Sequence, residues 1–308
     1  MFRRLLSNAS LGVIAPAGPL SKLDLEAGLT VLRRLGFSPI VGEHALDAVG
    51  YLAGDDQSRL DDLLKFFAEP SIDAVIAARG GYGAIRLLPL LDRVNQIAPK
   101  LFIGSSDNTA LISYLWKRFR LPALYGPMLV SLGRESYGDG ALQAFQGLLS
   151  GRIGVGRYDL PVHPKGGYWG GRAAEGVLLG GCLSLLAALS GTPYQLDLSG
   201  AILVLEDVGE PLYRLDRMIH QLRLGGQLAE IRGLICSAFD GCGGANGEPQ
   251  AMALVAELMS DLHIPIWVGM QFGHGPSPFP LPLGLRARID ADGLTLLERL
   301  VEQKPPVG

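Results

Sequence analysis

The segment Phe102-Ile103-Gly104-Ser105-Ser106-Asp107-Asn108-Thr109 puts two hydroxyls where an apolar strand stops and a helix pattern begins at once. That is the layout of a nucleophile elbow. A sharp strand-to-helix turn holds a hydroxyl out at the carboxyl end of a sheet, beside the free N–H groups and positive dipole of the helix start. Ser106 is third from Gly104, the nucleophile slot of that turn, although Asn108 stands where G-x-S-x-G has its second glycine. The same residues also suit an ordinary helix cap through Ser105, Ser106 or Asp107. A serine hydroxyl is a poor nucleophile at neutral pH. It needs an imidazole within hydrogen-bond reach and a carboxylate to fix that imidazole's tautomer.

Leu203-Val204-Leu205-Glu206-Asp207-Val208-Gly209-Glu210 ends a buried strand with two acids, and charge there is costly without a partner. Side chains alternate across a strand, so only one of Glu206 and Asp207 can face a given pocket. Asp207, Glu210, Arg214, Asp216 and Arg217 also read as a salt-bridge network around the next helix. His274 lies in Phe272-Gly273-His274-Gly275-Pro276, a Gly/Pro loop after a short apolar strand, which exposes an imidazole on a fixed backbone. His44, His163, His220 and His263 fall in polar or helical surroundings with no HExxH or paired ligand spacing, so no metal is expected. Arg79-Gly80-Gly81-Tyr82-Gly83 follows one strand and precedes a helix. Its glycines would let main-chain N–H groups approach an oxyanion or a phosphate, or simply make a tight turn. No Lys-Ser/Thr follows, which excludes a Walker A loop. Arg79 would grip a substrate carboxylate or form a surface ion pair.

The elements that must carry these groups read as α/β. Short apolar runs at 11–15, 39–41, 74–78 and 101–104 alternate with helix patterns at about 21–35, 56–68 and 108–119. Ser21 caps the first helix, with Asp24 in the third slot. Nearly all-apolar strands in successive β-x-α units imply a parallel, Rossmann-like sheet covered on both faces. Periodicity fades between 132 and 175, a glycine-rich stretch expected to cross between domains and to be helical near 142–149. A smaller C-terminal α/β domain is expected beyond it. Its strands fall at 201–205, 233–237 and 266–269, its helices at 182–189, 212–222 and 251–262, and its final hairpin at 287–290 with 294–297. The expected organisation is an N-terminal nucleophile domain at 1–131, a linker region at 132–175, and at 176–308 a domain carrying Glu206 and His274.

Composition removes several function classes. Over 308 residues, 27 Lys+Arg stand against 30 Asp+Glu, a net charge of -3. No basic field exists to collect phosphates, so nucleic acid is not expected as a partner. The hydrophobic share of 48% excludes a disordered chain. Cys182, Cys236 and Cys242 are too few and scattered for a disulfide framework, which suits a reducing compartment. Ser7, Asn8 and Ser10 interrupt the MFRRLL start too early for a signal peptide, and no apolar run is long enough to span a membrane. The expected location is cytoplasmic, with no membrane partner.

Taken with Tyr125-Gly126-Pro127-Met128 and Tyr213-Arg214-Leu215-Asp216-Arg217, these motifs together resemble the LD-carboxypeptidase family of serine peptidases, in matching order from about 11 to 290. That family includes the muropeptide LD-carboxypeptidases of cell-wall recycling and the microcin C immunity peptidases. The resemblance implies that Ser106 is the nucleophile, His274 the general base and acid, and Glu206 the carboxylate orienting His274. The N–H groups of Asp107 and Gly81 would form the oxyanion hole, and Arg79 would bind substrate. It also implies release of terminal D-Ala from muropeptide tetrapeptides, without metal or organic cofactor, by an enzyme that forms a homodimer. The family's nucleophile usually follows an aromatic residue; Ser105 stands there instead, which puts a second hydroxyl beside the first. Rival readings are hydrolysis of an aminoacyl-nucleotide antibiotic, a non-catalytic module binding an anionic ligand on the 80–83 loop, and a generic α/β-hydrolase esterase, whose elbow spacing and domain plan differ.

Overall fold

A computed structural model describes residues 1–302. Residues 303–308, the end of the expected C-terminal domain, lie outside the described residues. The first unit runs β1 (Ser10–Ile14), α1 (Lys22–Arg34), β2 (Ser38–Val41), α2 (Asp56–Ala68) and β3 (Ala74–Ala77). A short 3-10 turn (Ala84–Leu87), α3 (Leu88–Leu91), β4 (Leu101–Gly104), α4 (Thr109–Phe119) and β5 (Ala123–Tyr125) follow. Ser21 caps α1: its Oγ accepts from Asp24 N at 3.1 Å and donates to the Asp24 carboxylate at 2.7 Å. Asp55 caps α2 by accepting from Ser58 N at 2.8 Å. β3 and β4 are buried throughout, as expected for strands covered on both faces.

The chain continues through α5 (Leu129–Leu132), α6 (Asp139–Ser150), β6 (Gly156–Tyr158), β7 (Val162–Trp169), β8 (Ala174–Cys182), α7 (Leu183–Leu189), β9 (Ala201–Glu206) and α8 (Leu212–Leu224). β10 (Gly233–Cys236), α9 (Glu248–Leu258), β11 (Ile266–Met270), β12 (Leu281–Leu283), β13 (Arg286–Asp290) and β14 (Gly293–Leu296) complete it. The helix expected near 142–149 is α6, whereas the fading of periodicity between 132 and 175 conceals the strands β6 and β7. β7 is broken by Pro164, Gly166 and Gly167 and lies half-exposed at a sheet edge, so it carries no two-residue alternation.

The strands form a six-stranded sheet, β12-β5-β4-β3-β1-β2, and an eight-stranded sheet, β6-β14-β13-β8-β9-β10-β11-β7. In the first, β2, β1, β3, β4 and β5 are parallel. β12 returns from the far end of the chain to pair antiparallel with β5, Leu281 opposite Tyr125. Its central Pro282, which hides the strand in the sequence, is tolerated at a sheet edge because no outer partner needs its N–H. In the second sheet β8 to β11 are parallel and the flanking strands antiparallel. The strand order of the first sheet reverses between β1 and β3. The loops after β1 and β3 open there, the place where α/β sheets take ligands. Among the described residues, no helix is long and apolar enough to cross a membrane.

Candidate active site

β4 ends at Gly104, and the chain turns so sharply that Ser106 adopts φ 60°, a left-handed conformation that costs a non-glycine residue about 1–2 kcal/mol. Surrounding hydrogen bonds hold it there: Ser106 N donates to Tyr125 Oη at 3.1 Å, and Asn108 N to Ser105 O at 3.2 Å. The turn separates the adjacent hydroxyls. Ser105 is buried, whereas Ser106 Oγ lies 3.1 Å from His274 Nε2.

Glu206 closes β9 with no solvent exposure at all. Its Oε2 accepts from His274 Nδ1 at 2.5 Å and from His274 N at 3.1 Å; its Oε1 accepts from Tyr125 Oη at 2.5 Å. With a carboxylate at Nδ1, that nitrogen carries the proton and Nε2 is left to accept from Ser106. Gly273 makes the approach possible. At φ +78° a Cβ there would stand 2.5 Å from the Glu206 carboxyl carbon. Burial pulls the His274 pKa down, but the charge and hydrogen bond of Glu206, with Asp207 and Asp240 behind, outweigh it and leave the value raised above 6.5. Asp207 faces the other way, as strand alternation requires, and accepts from Ser184 N at 2.7 Å and from its neighbour Val208 N at 2.9 Å.

Tyr125 is the participant that sequence reasoning missed. It was visible only as the start of Tyr125-Gly126-Pro127-Met128. The available signal was a tyrosine ending an apolar three-residue strand, whose buried hydroxyl must find a partner. Burial, then the Glu206 charge, pushes its pKa well up, so it stays a neutral donor.

The 80–83 loop lies against the elbow. A Cβ on Gly80 would stand 2.8 Å from Ser106 Cβ and 2.9 Å from its Oγ. The N–H groups of Gly81 and Asp107 donate to no protein acceptor among the described residues. Arg79 Nη1 donates to Pro19 O at 2.7 Å. Arg79 has no carboxylate partner among the described residues, and with Gly18, Pro19, Tyr51, Gly81 and Tyr82 it lines an open cavity of about 560 Å3. A second cavity, about 360 Å3, adjoins His274. His163, Asp240 and Glu248 lie in its wall, and no Lys or Arg does. Among the described residues no cluster of His, Cys, Asp and Glu could hold a metal ion. An alcohol, an imidazole and a carboxylate in one hydrogen-bonded line, beside free N–H groups, can generate an alkoxide-like nucleophile and shelter the oxyanion it creates.

Residues 11–126 match the model of the LD-carboxypeptidase N-terminal domain, and residues 175–289 that of the LD-carboxypeptidase C-terminal domain. A putative carboxypeptidase of Streptomyces coelicolor is 37% identical over 95% of this chain and 94% of its own. The murein tetrapeptide carboxypeptidase of Pseudomonas aeruginosa is 34% identical over 92% of this chain and 94% of its own. The solved structure of the microcin C7 self-immunity protein MccF superposes with a TM-score of 0.87 at 24% identity, covering 98% of this chain and 99% of that one. At that identity the likeness is one of fold.

Proposed function

The chain belongs to the LD-carboxypeptidase family, and on that premise we propose that it is a serine peptidase whose triad is Ser106, His274 and Glu206. Its reaction is hydrolysis of the L-to-D bond that releases terminal D-Ala from a muropeptide tetrapeptide, the substrate named for the Pseudomonas relative. The carrying observation is the continuous line Ser106 Oγ–His274 Nε2 at 3.1 Å and His274 Nδ1–Glu206 Oε2 at 2.5 Å.

Ser106 Oγ attacks the carbonyl of the L-centre while its proton passes to His274 Nε2. Glu206 stabilises the imidazolium so formed. The N–H groups of Asp107 and Gly81 hold the oxyanion, each worth about 3–4 kcal/mol in comparable hydrolases. His274 returns the proton to the leaving D-Ala amine. Water, activated by the same imidazole, then frees Ser106. Arg79, without an ion-pair partner in the first cavity, binds a substrate carboxylate. The cavity beside His274, with Asp240 and Glu248 in its wall, suits the free amine of a diamino acid better than a nucleotide phosphate, which favours the muropeptide over an aminoacyl-nucleotide.

The same reading assigns the nucleophile to an N-terminal domain at 1–131 and Glu206 and His274 to 176–308, with 132–175 between them. A cytoplasmic location, expected from the scattered cysteines, and a homodimer, expected by resemblance, belong to this reading, and light scattering tests the second. The decisive experiment incubates the full chain with a defined tetrapeptide muropeptide and follows loss of D-Ala by mass spectrometry. Ser106→Ala should abolish turnover while the protein stays folded, and EDTA should leave wild-type activity intact. Turnover in Ser106→Ala, or a zinc-restored loss after EDTA, would defeat the proposal.

A further inference from the structure

The elbow departs from G-x-S-x-G at Asn108, and the structure gives that departure a task. Asn108 is fully buried. Its Nδ2 donates to Arg79 O at 3.3 Å, to Ser105 O at 3.0 Å and toward Met128 Sδ at 3.4 Å. One residue earlier, the Asp107 side chain is 1% exposed, and its Oδ2 accepts from Ala84 N at 2.7 Å. Arg79 and Ala84 are the residues on either side of the glycine loop at 80–83. We propose that the side chains of Asp107 and Asn108, immediately after the nucleophile, are positioning residues that clamp this loop at both ends. They thereby set the separation between the Gly81 and Asp107 N–H groups. The inference rests on the catalytic reading above.

The loop has no conformational preference of its own to rely on. Gly81 and Gly83 sit at φ +104° and +134°, which only glycine adopts freely. Gly18 N donates to Gly80 O at 3.0 Å and supplies a tie at the middle. Arg59, 1% exposed, supplies a backstop. Its Nη1 stands 2.6 Å from where a Gly83 Cβ would be and donates to Pro16 O at 2.5 Å, and its charge faces the Asp107 carboxyl. The clamp is expensive for the fold. Burial pushes the Asp107 carboxyl up to about 6, against the hydrogen bond from Ala84 and the charge of Arg59. Asn108 Oδ1 is buried without a partner among the described residues, a defect that typically costs about 1–3 kcal/mol. Apolar packing would avoid both costs. An orphaned buried group calls for an explanation such as a role in the site, and an oxyanion hole supplies it, because its donors must lie about 2.7–3.1 Å from the developing charge.

The test uses the full chain as wild type, Asp107→Asn, Asp107→Ala and Asn108→Asp. Three quantities are measured: tetrapeptide hydrolysis, affinity for the tripeptide product, and inhibition by a peptide boronic acid whose boron takes the scissile carbonyl's place. Asp107→Asn keeps an oxygen for Ala84 N–H and should lose less than about tenfold in kcat. Asp107→Ala and Asn108→Asp should lose about 100-fold in kcat, the loss that a misplacement of about 1 Å can cause, with KM nearly unchanged. Boronate affinity should fall by the same factor as kcat and product affinity should not, a split that mere destabilisation would not produce. If Asp107→Ala does not fold, the isosteric pair decides: Asn108→Asp must lose far more than Asp107→Asn. Equal effects in that pair, or unchanged boronate affinity in a slow variant, overturns the clamp. A wild-type protein that neither hydrolyses the peptide nor is inhibited refutes the catalytic reading instead.

Discussion

Replacing Tyr125 by Phe removes one oxygen and should cripple the proposed site while leaving Ser106, His274 and Glu206 in place. The two oxygens of Glu206 are served unequally. Oε2 accepts from both the N–H and Nδ1 of His274, whereas Oε1 accepts from Tyr125 Oη alone among the described residues. In Tyr125→Phe a fully buried carboxylate oxygen loses its donor, and Ser106 N loses its acceptor at the strained turn. A hydrogen bond to a charged group is worth about 1.5–3 kcal/mol. At about 1.36 kcal/mol per factor of ten, that is about 10- to 150-fold in kcat/KM if the alignment of His274 bears the loss. Glu206, with one donor fewer, leans harder on the imidazolium, so the acid limb of the pH–rate profile should move to higher pH. Steady-state hydrolysis across pH 5 to 9, with urea unfolding in parallel, measures both effects. Thr109→Val, which deletes the 3.4 Å contact to Tyr125 Oη and also the acceptor that Cys182 N–H uses at 3.0 Å, serves as the control: it should cost less than about threefold in kcat/KM, with the loss of the Cys182 bond read from the urea curves. A folded Tyr125→Phe within twofold of wild type, or an acid limb moved to lower pH, refutes this account of Glu206.

Ser106→Gly and Ser106→Ala should both be inactive, but the glycine variant should be about 1 kcal/mol more stable because φ 60° suits glycine; equal urea midpoints would show that the turn is unstrained. Gly273→Ala should lose activity as completely as Ser106→Ala, since a Cβ 2.5 Å from the Glu206 carboxyl must push the His274 loop away; retained turnover would contradict that packing. With its pKa raised above 6.5, His274 is protonated at low pH, so kcat/KM should fall as pH drops through a midpoint above that value. The sign for stability is opposite: a raised histidine contributes fully below its unfolded pKa and loses that contribution as pH climbs through the folded one. Chemical denaturation from pH 5 to 8 should therefore show stability slipping where activity grows, and parallel trends would count against the His274–Glu206 pair.

The sequence was most readable where one element decides the outcome. β3, β4 and β10 are short apolar runs buried throughout, and Ser21 and Asp24 announce the start of α1 within four residues. Ser106, Glu206 and His274 each stand at or just after the end of an apolar strand, but taken singly the serine segment also read as a helix cap and the acid segment as an ion-pair network; only the several motifs together, and the family resemblance they carry, joined the three. What escaped depends on neighbours far away in the chain. Tyr125 meets Ser106 and Glu206 because β5 lies beside β4 with Gly104 opposite Tyr125, a register no local pattern encodes. The stretch at 132–175 read as a crossing, yet it also secures the histidine loop. Tyr137 Oη donates to Pro278 O at 2.8 Å, Gly138 N to Ser277 Oγ at 2.9 Å, and Tyr158 Oη to Pro280 O at 2.6 Å. Glycine spacing reveals a flexible path but not what anchors beside it. The 80–83 loop read as a cradle or a tight turn, whereas the side chains of Asp107 and Asn108 that bond to its two ends sit in the helical turn after β4, out of reach of any local pattern.

The late return of β12 to the first sheet has a consequence during synthesis. Ser106 is made before Glu206, and His274 and the edge strand that covers β5 are made together only after both. A nascent or prematurely terminated polypeptide that stops short of them therefore carries Ser106 without its imidazole partner and an uncovered sheet margin, a pairing surface of the kind that invites aggregation. The joining of His274 to Ser106 and the capping of that margin are gained in one step of synthesis.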